Sequence, residues 1–356
     1  MIANAVVRTC ALVLGVLVGV APTVVAAQGY AGLGTQAEGF TVPTPGQSLE
    51  FPADHAAHPD YRIEWWYLTA TLETASGAQL GVQWTLFRSA LAPGTAPGWN
   101  SPQVWMGHAA VTTQQQHYYA ERLARGGIGQ AGVSLDPFEA WIDDWAMTSM
   151  DNTLDGLSLQ ARGEEFGYDL FLRAEGPLVL HGEAGYSVKS AQGQASYYYA
   201  QPGYRVSGTV RLPQGDLEVT GKAWLDREWS SQPLAADQSG WDWFSLHLDG
   251  GDKLMGFVLR SDSGDFSSGT WIEADGTTIP LAPGSLAAEP LGWSAVAGRQ
   301  VPTSWRVSLP ERDLAVEVRA LNPNAWMGTV FPYWEGPVEV SGSHQGRGYL
   351  EMTGYD

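Results

Sequence analysis

Cysteine is almost absent from this chain: its 356 residues include only Cys10, close to the N-terminus. A single cysteine forms no internal disulfide. It also stands at the start of an apolar run instead of at its end, which is the wrong place for lipid attachment. We therefore expect neither disulfides nor thiol chemistry to contribute to this protein.

Basic residues are scarce, with 19 lysines and arginines against 38 acidic residues and a formal net charge of −19. No basic cluster is present, so we expect no nucleic-acid partner, and an acidic chain binds anionic membrane surfaces poorly. Charged residues make up only 16% of the chain, whereas glycine (43) and tryptophan (16) are abundant. This composition is typical of β-rich proteins with tight turns and aromatic interiors.

Long apolar runs are also missing except at the N-terminus, where Arg8 is followed by the apolar stretch Cys10–Val25. Because Val25-Ala-Ala fits a cleavage site, residues 1–27 are predicted to be a signal peptide. The alternative is a single membrane anchor, but Pro22 and the small residues after it favour cleavage. We expect an exported protein, periplasmic or secreted. No stable membrane insertion is expected after cleavage, because no other run approaches the ~20 apolar residues of a membrane span.

The rest of the chain consists mostly of short alternating segments. Glu64–Leu72 and Leu80–Arg88 flank the turn pattern Ser76-Gly77, which predicts a β-hairpin. Only Gln114–Arg125 and Gly132–Asp143 have room for short helices. We predict an all-β protein made of two antiparallel β-barrels or sandwiches. Its predicted parts are an extended lead-in (28–50), an N-terminal domain (51–215) and a C-terminal domain (216–356).

The segment Lys222–Leu248 places charges among large aromatic side chains, and such charges are expensive to bury unless they are paired. Alternate residues of a strand face opposite sides of a sheet. One face then carries Trp224, Asp226 and Glu228, and the other carries Leu225, Arg227 and Trp229. Such a segment either locks the structure together or lines a site.

A carboxyl group beside indole rings has a raised pKa, which suits a general acid. The candidate acid is Asp226, with Glu228 or Glu64 in reserve. The competing interpretation is a structural ion pair between Arg227 and one of these acids. Candidate residues of an apolar ligand pocket are Trp66, Trp229, Trp241, Trp243, His108 and His247. Each of the two histidines is either a proton donor or a buried residue with a satisfied hydrogen bond.

Motifs for phosphate, acyl or zinc chemistry are missing from the sequence. His55 and His58 lie three residues apart in a loop without a nearby third ligand, so surface histidines are a simpler interpretation than a metal site. We therefore predict no metal and no cofactor.

Six motifs spread over nearly the whole mature chain carry a family resemblance. They are Glu64-Trp-Trp-Tyr-Leu-Thr, Trp84-Thr-Leu-Phe-Arg, Gly107-His-Ala-Ala-Val-Thr, Trp224-Leu-Asp-Arg-Glu-Trp-Ser-Ser-Gln, Trp241-Asp-Trp-Phe-Ser-Leu and Gly348-Tyr-Leu-Glu-Met-Thr-Gly-Tyr. Together they resemble the AttH-like family, which is related to the carotenoid 1,2-hydratases (hydroxyneurosporene synthases).

The resemblance implies two lipocalin-like β-barrel domains packed side by side. In the hydratase branch an acid protonates a terminal isoprenoid double bond, aromatic rings stabilise the carbocation and water adds, all without a cofactor. Related fungal proteins are implied to be cyclases of apolar polyenes, with the pocket between the domains. The hydratase branch has Asp-His-Asn where this chain has Asp226-Arg-Glu, so only Asp226 carries over.

Two functions remain open at this point. The first is an enzyme that acts on an apolar isoprenoid or polyene small molecule by hydratase (lyase) or cyclase chemistry. The second is a non-catalytic carrier of lipids or other apolar ligands in the cell envelope. A hydrolase has no Ser/His/Asp elements in the sequence to support it.

Overall fold

The computed structural model describes residues 38–232 and 234–355. The predicted signal peptide (1–27) and the first part of the predicted lead-in lie outside the described residues. Within the described ranges, no helix has both the length and the apolar character that crossing a membrane requires. The helices of these ranges are single 3₁₀ turns at Ala53–His55, Gly98–Asn100 and Pro310–Arg312.

The first sheet has thirteen strands in the described part of the chain. They are β1 (Ile63–Thr74), β2 (Gln79–Ala90), β3 (Gln103–Thr113), β4 (His117–Arg125), β5 (Ala131–Leu135), β6 (Phe138–Ile142), β7 (Trp145–Ser149), β8 (Gly156–Arg162), β9 (Gly167–Ala174), β10 (Val179–Leu180), β11 (Tyr186–Val188), β12 (Ala195–Leu212) and β13 (Gly215–Ser230). The strand order is β4-β3-β2-β1-β13-β12-β9-β8-β7-β6-β5, and β10 and β11 also pair with β12.

The second sheet has ten strands within the same ranges. They are β14 (Gln238–Leu248), β15 (Lys253–Ser261), β16 (Phe266–Ile272), β17 (Thr278–Pro280), β18 (Ala287–Val296), β19 (Arg299–Leu309), β20 (Leu314–Ala320), β21 (Trp326–Met327), β22 (Tyr333–Gly342) and β23 (Gly346–Met352). The strand order is β17-β16-β15-β14-β23-β22-β20-β19-β18, and β21 pairs with β22. Every pairing in both sheets is antiparallel, which confirms the predicted all-β class with two curled antiparallel sheets.

The first sheet curls until its distant strands meet. Arg122 on β4 binds Asp144, just beyond β6, with 2.8 Å between Nη2 and Oδ1. On β3, a Cβ at Gly107 would lie only 2.7 Å from the Ile142 side chain of β6. The curl encloses an apolar core that includes Trp66 and Leu68 of β1, as the alternating pattern of this strand predicts.

The predicted hairpin is confirmed, because β1 and β2 pair along their whole length. The two predicted short helices are wrong: Gln114–Arg125 folds into a turn and β4, and Gly132–Asp143 falls mostly within β5 and β6. Neither segment has a helical apolar stripe long enough to bury. As strands, both satisfy their backbone groups against β3 and β7.

The change of sheet comes later than the predicted division between residues 215 and 216. Pro213-Gln-Gly is the turn of the hairpin between β12 and β13, where Leu212 pairs with Gly215. Strand β13 then pairs with β1 of the first sheet. The chain therefore enters the second sheet only between Ser230 and Gln238, and β13 places the charged segment against the seam between the sheets.

Candidate functional site

A cavity with about 100 Å³ of free space lies where the two sheets meet. This space is enough for several water molecules or part of a small ligand. Strands β1, β12 and β13 form one wall, and β14, β15 and β23 form the other. The lining residues that matter below are Trp65, Tyr67, Lys189, Ser196, Tyr198, Asp226, Glu228, Trp241, Trp243, Phe257 and Glu351.

Asp226 is a buried acid on this cavity. Its Oδ1 atom accepts a hydrogen bond of 2.8 Å from the Trp224 indole nitrogen, and Tyr198 also hydrogen-bonds to the carboxyl group. Its Oδ2 atom is buried and has no partner. Burial raises the pKa of Asp226 well above its ordinary value, and nearby Glu228 raises it further. The raised pKa favours the protonated form of Asp226, and its Oδ2 atom makes no hydrogen bond that would compete for a proton.

Glu228 has a different environment on the same wall. Its Oε1 atom accepts a hydrogen bond from the Ser196 hydroxyl and forms an ion pair with Lys189 at 2.9 Å. The Lys189 ammonium also lies 4.2 Å from the ring centre of Tyr198 and 5.0 Å from that of Phe257. Lys189 is half-buried, whereas Glu228 is buried.

Glu351 supplies a third carboxyl group from the opposite wall. Its Oε1 atom accepts a hydrogen bond of 2.7 Å from the Trp241 indole nitrogen. Burial raises the pKa of Glu351 to about 7, with a smaller contribution from the Glu228 charge. The cavity thus holds two acids whose pKa is raised, Asp226 and Glu351, beside Glu228 in its ion pair with Lys189, and acids in such different environments are what acid–base chemistry needs.

The ion pair considered for Arg227 is formed with Glu64, on the face opposite to Asp226 and Glu228. Glu64 Oε1 lies 2.8 Å from Arg227 Nη2, and its Oε2 lies 2.9 Å from Arg88 Nε. His58 adds a contact of 2.6 Å between its Nδ1 and Glu64 Oε1. These cations hold the pKa of Glu64 far below its usual range although burial opposes them. Glu64 is therefore a structural anion inside the first sheet, which corrects its assignment as a reserve acid.

The four candidate tryptophans divide between two places. Trp241 and Trp243 line the cavity. Trp66 and Trp229 are buried in the core of the first sheet, where the Arg227 guanidinium lies 3.8 Å from the ring centre of Trp66. This placement corrects the expectation that all four are pocket walls, because one strand cannot present both faces to the same cavity.

The candidate histidines His108 and His247 are buried but do not line the cavity. His247 Nε2 lies 2.7 Å from the Pro202 carbonyl oxygen. His108 lies behind Phe87, a lining residue, with 5.2 Å between the ring centres. His55 bonds to the Tyr199 hydroxyl instead of a metal-type partner. Among the described residues, no group of three or more His, Cys, Asp or Glu side chains is arranged to hold a metal.

The family comparison agrees with the sequence motifs. The AttH-like family model matches residues 42–355 of this chain. The chain belongs to the AttH-like family.

Two solved structures resemble this AttH-like protein. One is the structure of a protein from Nitrosomonas europaea that is described as an AttH. It is 33% identical to this chain with a TM-score of 0.79, and the match covers 89% of this chain and 99% of the Nitrosomonas chain. The other is kievitone hydratase from Nectria haematococca. It is 16% identical to this chain with a TM-score of 0.66, and the match covers 90% of this chain and 97% of the hydratase chain. At this lower identity the likeness shows the fold. No curated protein sequence matches the chain.

Several cavity residues of this AttH-like protein are not predicted by the sequence. Glu351 lies within one of the six family motifs. It alternates there with Leu350 and Met352 as a polar residue of an ordinary strand does, so the sequence does not mark it as a site residue. Lys189 and Ser196 come from a loop and a strand that carry no motif. Of these two, only Lys189 stands out in the sequence, because it is among the few basic residues of an acidic chain.

Proposed function

We propose that this AttH-like protein adds water to a carbon–carbon double bond of an apolar, isoprenoid-type small molecule. The cavity provides an acid, a second polar pair and aromatic walls, which are the parts that this reaction needs. The family relationship and the fold shared with a protein named kievitone hydratase support a hydratase over other alkene chemistry. Cyclisation of a polyene begins with the same protonation and differs only in what reaches the cation first.

The proposed reaction starts when Asp226 gives its proton to one alkene carbon, so that the other carbon becomes a carbocation. The faces of Trp241 and Trp243 line the cavity and stabilise this cation. Water then forms a C–O bond at the cation and gives one proton to Glu228. Return of this proton to Asp226 restores the starting state, so the overall reaction consumes one alkene and one water and yields one alcohol.

The observation that carries this proposal is the buried, unpartnered Oδ2 atom of Asp226, a residue that lines the cavity and whose pKa burial raises. A structural buried aspartate has a cation beside it, as Asp242 of β14 illustrates. Asp242 is paired with Arg260 and also binds the Tyr355 hydroxyl. Asp226 itself forms none of the ion pairs found among the described residues, because Lys189, whose charge lowers its pKa, is paired with Glu228.

The test is the variant Asp226→Asn, which keeps the shape of the side chain and removes its proton. Purified proteins are incubated with a panel of acyclic carotenoids and prenylated phenols, and products that gain one water are counted by mass spectrometry. We expect turnover to fall about 10²- to 10⁴-fold, as is usual when a positioned acid is lost. Asp169→Asn, which changes a partly exposed aspartate of β9 that is paired with Arg211, is the matched control and should keep wild-type activity. Unchanged turnover in Asp226→Asn would remove Asp226 from the mechanism.

A carrier of apolar ligands is the second candidate, supported by the aromatic lining alone. Trp241 and Trp243 report directly on occupancy, so their fluorescence should change saturably when a ligand binds. Saturable binding of fatty acids or carotenoids without any hydrated product, in wild-type protein, would favour the carrier.

We also propose that the mature chain works outside the cytoplasm, on the strength of the sequence of residues 1–27. Cell fractionation with N-terminal sequencing tests this: a mature protein in the cytoplasmic fraction with Met1 intact would contradict it.

A further inference from the structure

A series of hydrogen-bonded side chains connects the cavity to the protein surface. The Tyr67 hydroxyl, on the cavity, donates a hydrogen bond of 2.5 Å to Glu335 Oε1, and Tyr333 hydrogen-bonds to the same carboxyl group. The Tyr333 hydroxyl lies 3.0 Å from His108 Nδ1. His108 Nε2 lies 3.2 Å from Oε1 of Glu121, whose side chain is 20% exposed.

Glu335, the acid inside this series, forms none of the ion pairs found in the described part of the chain. Tyr333, Glu335 and His108 are almost completely buried at the seam between the sheets. The charged group that faces Glu335 is another acid, Glu351, and the other titratable neighbours are tyrosines: Tyr67, Tyr168, Tyr333 and Tyr349. Burying an acid in this way is costly unless it holds a proton.

The hydrogen bonds permit two arrangements that differ by one transferred proton. In the first, Glu335 is neutral, the Tyr333 hydroxyl donates to His108 Nδ1, and His108 Nε2–H donates to the Glu121 carboxylate. In the second, Glu335 has given its proton to the Tyr333 oxygen while Tyr333 has given its own to His108 Nδ1. The imidazolium then releases the Nε2 proton to Glu121, and solvent removes it from there.

The directions of the pKa shifts agree with the first arrangement as the resting state. Burial raises the pKa of Glu335 well above its ordinary value and lowers that of His108. Glu335 Oε2 is buried without a partner of its own.

We propose that Glu121, His108, Tyr333, Glu335 and Tyr67 form a proton path between solvent and the cavity. Tyr67 lies directly opposite Asp226 on the paired strands β1 and β13, so the path ends beside the proposed acid. Its use in catalysis, to exchange protons between the cavity and solvent from one turnover to the next, rests on the proposed function. The path itself does not, because it is defined by these contacts alone.

The test measures proton exchange instead of turnover. The full-length protein is transferred into D2O, and infrared spectroscopy follows the carbonyl band of the protonated Glu335 carboxyl group, which the variant Glu335→Gln identifies by its loss. We expect Tyr333→Phe to slow deuteration of this band about 100-fold, the lower end of the contribution of one positioned proton-transfer group. His108→Gln breaks the path at a second point and should have the same effect.

Tyr349→Phe is the matched control, since Tyr349 is a buried tyrosine at the same seam outside the path. It should exchange at the wild-type rate. Near-UV circular dichroism shows which variants keep the native fold, and either path variant that does so decides the question. The proposal is overturned if folded path variants exchange like wild type, if Tyr349→Phe slows exchange equally, or if Glu335→Gln removes no carboxylic-acid band.

Discussion

Adjacent residues of one strand have opposite roles in this protein. Asp226 and Glu228 face the cavity between the sheets, and Arg227 between them points into the first sheet and binds Glu64. Strand alternation predicts this separation from the sequence. It does not predict which acid Arg227 binds, because Glu64 lies 163 residues away and reaches Arg227 only through the pairing of β1 with β13.

The cluster around Glu64 predicts a large loss of stability for Glu64→Gln. This variant leaves Arg88 and Arg227 buried without their shared anion, a change that costs about 3–5 kcal/mol in comparable sites. Urea unfolding measures it. Because the pKa of Glu64 is lowered in the folded state, the contribution of Glu64 to stability is complete above its ordinary pKa of 4.5 and is lost as the pH falls further.

Glu175→Gln is the control: it removes an exposed pair with Arg205 and should cost at most about 1 kcal/mol. Equal, small losses in both variants would contradict this account.

For Glu351 we expect a pH-dependent effect on stability of the opposite sign to that of Glu64. Its pKa is raised to about 7 in the folded protein against an ordinary value of 4.5. Its carboxyl group is protonated in both states below pH 4.5, and only the unfolded chain ionises between 4.5 and about 7. Wild type therefore loses stability relative to Glu351→Gln as the pH rises through this window, by about 3 kcal/mol in all. Urea unfolding of both proteins across the window measures the difference, and a constant difference would show that Glu351 is not a buried acid.

At the level of strands, the alternation of residue types along the sequence predicts most strands correctly where the two faces of a strand carry different kinds of side chain. The hairpin of β1 and β2 is an example, since Trp66, Leu68 and Ala70 mark its inner face. Short polar segments such as Gln114–Arg125 mislead because the apolar pattern is weak. What makes β4 a strand is its hydrogen bonding to β3, a tertiary contact that the local sequence does not contain.

Strand β13 carries the site and packs too closely against β1 to accept a side chain at Gly221. A Cβ there would lie 2.1 Å from the Thr71 carbonyl oxygen and 2.9 Å from the Leu72 Cα. Since a backbone neighbour cannot move aside, Gly221→Val should cost about 3 kcal/mol or more. Gly156→Val is the control, because no atom lies within 4 Å of its added Cβ on the exposed end of β8. Thermal unfolding compares the two, and a Gly221→Val protein as stable as wild type would contradict the close approach.

For the whole molecule, the cavity exists only because two sheets meet. Tyr198 and Asp226 come from the first sheet, whereas Trp241, Trp243 and Glu351 come from the second. The sequence predicts two barrels and a segment rich in tryptophan and acid. It does not predict the seam itself, because contacts such as Tyr67 with Glu335 join residues 268 positions apart.

The central claim is that Asp226 holds a proton inside this seam. Its hydrogen bonds come from Trp224 and Tyr198 of the first sheet, and the second sheet closes the cavity that it lines, so its protonation state reports on the complete site. The most direct measurement is a carbon-13 NMR titration of aspartate-labelled protein, with the Asp226 carboxyl signal assigned by its loss in Asp226→Asn. We predict that this signal stays in the neutral form at neutral pH, after the exposed aspartates have ionised. Titration of Asp226 near its ordinary value of 3.8 would contradict the account.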